Sequence, residues 1–143
     1  QHFPGKTIAV DAAGKIPYYS GLYTIDMLGL ADEHVAHLPL ESFRWDRVKF
    51  DAEYVLSRKP DLIMSWIDPK WDLAAVGMPR SMYEQAGYEL AYLVSVNIWP
   101  KDCVAPAEGF TQDELDFALQ LGFNYAVLKR HDVEEAQVER LDY

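Results

Sequence analysis

Apolar runs of strand length recur along this chain at residues 6–10, 22–27, 61–66, 88–99 and 123–129, and this spacing constrains the fold more than anything else in the sequence. Between most of them lie segments with helix-start and helix-stop residues rather than two-residue turns. Asp32 is placed to cap a short helix that Pro39 stops, with acids in its first turn. Ala52, Val55 and Leu56 share one face of a helix over residues 51–58, which Pro60 ends. Thr111 with Glu114 three positions on forms a capping box, opening a helix that Gly122 closes.

Strands joined through helices are joined by crossovers, and crossovers lay strands side by side in parallel. The pattern therefore predicts one α/β domain over residues 1–143, a three-layer sandwich with a mainly parallel sheet of Rossmann-like topology. The sheet becomes mixed if the long run at 88–99 joins it antiparallel. Residues 14–21 read as a turn. Residues 68–81, with Pro69, Gly77 and Pro79, read as a surface excursion, and the acidic tail at 132–141 as a last helix.

The formal net charge is −10. A nucleic-acid binder needs a basic footprint to displace counterions from phosphates, so that class is excluded, as is adhesion to anionic lipid by charge alone. The single cysteine, Cys103, leaves no internal disulfide and no cysteine-rich metal site. No window approaches the length of apolar sequence that a spanning helix needs. The chain starts at Gln1 and reaches a strand within a few residues, which fits a piece of a longer protein or a trimmed whole one.

The common catalytic and nucleotide motifs fail one by one. Gly14-Lys15 after a strand suggests a phosphate loop, but Ala9 and Ile16 stand where that loop needs a glycine and a hydroxyl. One glycine between Ala12 and Pro17 cannot supply a dinucleotide fingerprint. His34 and His37 share a helix face beside Asp32 and Glu33, yet no third ligand stands at fixed spacing, so solvated histidines account for them better than a metal. Ser20, and Cys103 with His131, lack the sequence surroundings that activate a nucleophile. No cofactor is expected.

Aromatic residues and aspartates remain. Trp45 and Trp71 have charged neighbours and are expected to be partly exposed, more so than Trp66, which makes them candidate ligand contacts. Asp11, Asp26 and Asp32 each follow an apolar run. Asp26 and Asp32 read as turn and cap residues, whereas Asp11 stands equally as a turn residue or as a ligand contact at the carboxyl end of a strand.

The residues Gly14, Pro17-Tyr18-Tyr19-Ser20, Ile25-Asp26, Gly29-Leu30 and Asp32, followed by the string Tyr54-Val55-Leu56-Ser57-Arg58-Lys59-Pro60-Asp61, carry a resemblance. This part of the chain resembles the start of the soluble C-terminal domain in bacterial membrane glycosyltransferases of the GT-C type, the arabinofuranosyltransferase group among them. The resemblance implies a domain on the extracytoplasmic face of the inner membrane, following a transmembrane part of the same protein. Its partners would be that transmembrane part, a lipid-linked sugar donor and a glycan acceptor. It also implies that the catalytic carboxylate lies elsewhere in the full protein, so no catalytic residue is expected here. Asp11, Gly14, Tyr18, Tyr19, Ser20, Trp45 and Trp71 are the candidate ligand contacts, and Asp26, Gly29 and Asp32 the structural motif.

Overall fold

The structure is a computed structural model that describes residues 3–39, 49–95, 104–122 and 124–135. Its strands are β1 (Thr7–Val10), β2 (Tyr23–Asp26), β3 (Leu62–Ile67), β4 (Tyr88–Ser95), β5 (Val104–Pro106) and β6 (Asn124–Arg130). They form one sheet in the order β2-β1-β3-β6-β4-β5. The helices are α1 (Lys15–Ser20), α2 (Glu33–Ala36), α3 (Ala52–Ser57), α4 (Arg80–Gln85) and α5 (Gln112–Gln120), with short 3-10 turns at Ala74–Val76 and Ala107–Gly109.

The fold is α/β, but the mainly parallel sheet gives way to a mixed one. Strand β1 pairs in parallel with β2 and β3, while the β3–β6, β6–β4 and β4–β5 pairings are antiparallel. A buried apolar run such as that of β6 looks the same in either direction, so the sequence pattern carried no sign of its reversal.

Two further expectations change. Residues 15–20 are helical rather than a turn. Pro17 sits in the first turn of α1, where a backbone N–H has no helical partner to lose, and Gly21 closes the helix with φ at 64°. The segment at 68–81 is no surface excursion, because Trp71, Leu73, Val76 and Met78 are buried in the main core. Helix α4 follows it, its Tyr83 buried with the hydroxyl donating to the Trp71 carbonyl at 2.8 Å. In the acidic tail, residues 133–135 are not helical, and 136–143 lie outside the described residues.

The sheet packs on both faces. Ala9, Ile63 and Leu128 meet Val55 of α3, Tyr83 of α4 and Leu115 and Leu119 of α5. On the other face Ile8, Val10 and Leu62 meet Ile16 of α1 and Phe3. Each fully buried aliphatic side chain stabilises by roughly 1.5–3 kcal/mol, which sets the strands in place before any polar contact is counted.

At the amino edge of the sheet, polar groups are paired off. Asp61 Oδ2 accepts from the Thr7 N–H at 2.8 Å and hydroxyl at 2.9 Å, and Asp61 Oδ1 pairs with Arg130 at 3.1 Å. Arg130 also donates to the carbonyl of Lys59, and the Tyr88 hydroxyl to that of Pro60 at 2.6 Å. The beginnings of β1, β3 and β4 and the end of β6 are thereby tied together.

Candidate functional site

The opposite edge, at the carboxyl ends of β1 and β3, is built differently. From β1 the chain leaves toward β2, and from β3 it leaves toward β4 on the other side, so a crevice opens between them of the kind where α/β sheets take ligands. Asp11 is the first residue past β1. Side-chain alternation puts Val10 on the α1 face and turns Asp11 to the other, beside Ser65 of β3. Asp11 Oδ2 accepts from the Ser65 hydroxyl at 2.7 Å and from the Trp66 N–H at 3.1 Å. The residue is 7% exposed, and its Oδ1 has no hydrogen-bond partner.

Burial pushes the Asp11 carboxyl above the ordinary carboxylate range, with the bonds from Ser65 and Trp66 opposing it only in part. Trp66 packs its ring against Tyr125 of β6, centroids 3.9 Å apart. The Tyr125 hydroxyl is pushed up to about 12, first by burial and then by the charge of Asp11.

A cleft of about 520 Å³ adjoins this crevice, between the end of β3, the 3-10 turn at Ala74–Val76 and the end of α5. Trp66, Asp68, Ala75, Leu119 and Asn124 are among its walls. Asn124, the first residue of β6, is fully buried. Its amide nitrogen donates to the carbonyls of Ala118 at 3.2 Å and Gly122 at 2.9 Å, while Oδ1 has no partner. Turning the amide over would set its oxygen against two carbonyl oxygens, so the orientation is fixed by the bonds themselves.

The remaining candidates fall into two groups. Asp26 is 3% exposed and holds the loop after β2 by accepting from the Leu28 N–H at 3.0 Å and the Ala31 N–H at 2.6 Å. Asp32 caps α2 through the Val35 N–H at 3.1 Å and accepts from the Tyr54 hydroxyl at 3.1 Å. Gly29 has φ at +78°, and a Cβ there would stand 2.8 Å from the Ala36 nitrogen, which explains glycine at that position. By contrast Tyr18 and Tyr19 are 82% and 76% exposed, their rings edge to face at 5.1 Å. Gly14 is exposed just before α1, and Ser20 serves its own turn, its hydroxyl accepting from the Leu22 N–H at 3.3 Å.

A family model described as a domain of unknown function, DUF8728, matches residues 1–130. The chain belongs to the DUF8728 family. The match runs through the end of β6 and so takes in both edges of the sheet. Comparison with curated proteins and with solved structures returns no match.

In this DUF8728 domain the tryptophans reverse the expectation drawn from their neighbours. Trp71 is buried, because a left-handed backbone at φ 69° turns it inward, where its indole N–H donates to Asp116 at 2.6 Å and the Arg80 guanidinium covers the ring at 4.5 Å. Trp66 is the half-exposed one. Trp45 and Cys103 lie outside the described residues. His34 bonds to Asp51 at 3.0 Å and stacks on Tyr54, and among the described residues no three His, Cys, Asp or Glu side chains converge to hold a metal ion.

Sequence reasoning missed Ser65 and Asn124 as site residues of the DUF8728 domain. The signal was a single polar residue in an apolar strand run, which is costly unless something pairs with it. Taken together, the carboxyl edge presents acceptors and aromatic surface; it is suited to ligands that donate hydrogen bonds.

Proposed function

We propose that this domain is the extracytoplasmic part of a GT-C type membrane glycosyltransferase that uses a lipid-linked sugar donor in cell-envelope glycan synthesis, and that it assists acceptor or glycan binding. The exposure of Tyr18 and Tyr19 carries this reading. Helix α1 buries no residue fully and offers two tyrosine rings to the outside. A module that only built the fold and docked it would be expected to bury them. Tyrosine combines an apolar ring with a hydroxyl, which suits the C–H face and the hydroxyls of a sugar.

The resemblance around Pro17-Tyr18-Tyr19-Ser20 supports the same reading. Among the described residues no helix is long and apolar enough to cross a membrane. On this proposal the spanning helices and the catalytic carboxylate belong to the rest of the protein, and this domain's partners are that membrane part, the lipid-linked donor and the glycan acceptor. A Rossmann-like, three-layer arrangement of the parallel half belongs to the proposal too, supported by α1 packing on one face of β1 and α3 on the other.

Steady-state kinetics of the full-length enzyme test it. Tyr18→Ala and Tyr19→Ala are expected to raise KM for the glycan acceptor by about tenfold with kcat nearly unchanged, the loss of a contact made equally in ground and transition states. Unaltered activity after deletion of the whole domain would refute the assisting role.

A further inference from the structure

We infer that the cleft between the end of β3 and the end of α5 is a subsite for a neutral sugar ring, separate from the Tyr18–Tyr19 surface. This does not depend on the membrane-enzyme reading, since it concerns only what this chain's own walls can recognise.

Size comes first. At about 520 Å³ the cleft lies within the roughly 300–1,000 Å³ typical of small-molecule sites. Its walls are mostly apolar, with Ile67, Ala75 and Leu119 beside Trp66, whose ring is held in place by Tyr125. Such walls suit the C–H face of a sugar ring.

The polar groups then select the ligand's charge and hydrogen-bonding sense. Asn124 Oδ1 is an acceptor with no donor, locked in orientation by the two bonds of its own amide nitrogen. Asp68 is fixed likewise: its Oδ1 accepts from the N–H groups of Lys70 at 2.8 Å and Asp72 at 3.0 Å, which leaves Oδ2 to a ligand donor. Among the described residues no lysine or arginine lines the cleft. Helix α5 ends there, and the carbonyl end of a helix carries partial negative charge. A phosphate, sulfate or carboxylate would face the Asp68 carboxylate and the carbonyl end of α5, with only the neutral donors of Gln120 and Trp66 to set against them. A purely apolar ligand would leave Asn124 Oδ1 unpaired and would strip water from Asp68 Oδ2 without replacing it. A ring that is apolar on one face and carries hydroxyl donors at its rim meets both requirements.

Heteronuclear NMR of the full 143-residue chain tests the assignment, with methyl β-D-glucopyranoside as the probe. The side-chain amide of Asn124 and the indole N–H of Trp66 are expected to shift saturably in the millimolar range. Ala75→Trp, at an exposed position on the cleft wall, is expected to weaken binding at least tenfold without changing the melting temperature. Should that variant lose its native melting, Ala74→Leu at the neighbouring exposed position is read in its place. Tyr18→Ala is expected to leave these shifts intact, so failure at the tyrosine surface and failure at the cleft are told apart. The assignment is overturned if the glycoside moves neither reporter, if binding survives the cleft-filling variant, or if glucose 6-phosphate or cyclohexanol binds as tightly.

Discussion

The two edges of the sheet use the same residue types to opposite ends. At the amino edge Asp61 has both oxygens engaged, one by Thr7 and one by Arg130, and the strands it joins are fixed there. At the carboxyl edge Asp11 and Asn124 are more deeply buried than Asp61, yet each keeps an oxygen without a partner. Buried acceptors are rarely left unpaired by folding alone. The comparison separates a polar residue that builds the fold, recognised by complete pairing, from one that awaits something else.

The largest effect expected from this contrast is at the satisfied edge. Asp61→Ala leaves the Thr7 N–H and hydroxyl without their shared acceptor and Arg130 with Asp132 as its remaining carboxylate, and is predicted to cost about 3 kcal/mol in denaturant unfolding. A loss below about 1 kcal/mol would dissolve the distinction between the edges. Next is Gly29→Ala, predicted to cost about 2 kcal/mol because the backbone is left-handed there and Ala36 stands in the way; this marks the loop after β2 as architecture although it lies at the carboxyl edge.

Asp11→Asn sharpens the comparison through pH. The folded-state pKa of Asp11 is raised above 3.8, so the folded chain binds that proton more tightly than the unfolded one. This group's contribution to stability is therefore greatest in acid and declines as pH rises from about 3.8 through the folded value. The asparagine variant does not titrate, so its melting temperature should gain on that of the parent between acid and neutral pH. A difference that stays constant with pH would mean that burial does not hold the Asp11 carboxyl above its unfolded value. The smallest effect belongs to Tyr18→Ala, predicted to change stability by no more than about 0.5 kcal/mol, since an exposed ring contributes to binding rather than folding.

Much of the scaffold was legible in the sequence, where local chemistry decides local structure. The capping box at Thr111, the cap at Asp32 and the strand runs of β1, β2, β3 and β6 follow from side chains within a few residues of each other. What was not legible depends on distant partners. The direction of β6 is set by its neighbours β3 and β4, the burial of Trp71 by a left-handed turn and by Asp116, and helix α1 by a proline tolerated only because it falls in the first turn. The site followed the same rule. Asp11 stood out as a charge at a strand end, but Ser65, Trp66 and Asn124 gather around the crevice only once β1, β3 and β6 lie side by side.

The most direct test maps where a glycan touches the sheet. Backbone and side-chain shifts of the 143-residue chain, followed on titration with a neutral arabinan or galactan oligosaccharide, are predicted to concentrate at Asp11, Tyr18, Tyr19, Trp66, Asp68 and Asn124, with Thr7, Asp61 and Arg130 unmoved. Shifts centred on the amino edge, or none at saturating oligosaccharide, would contradict the account.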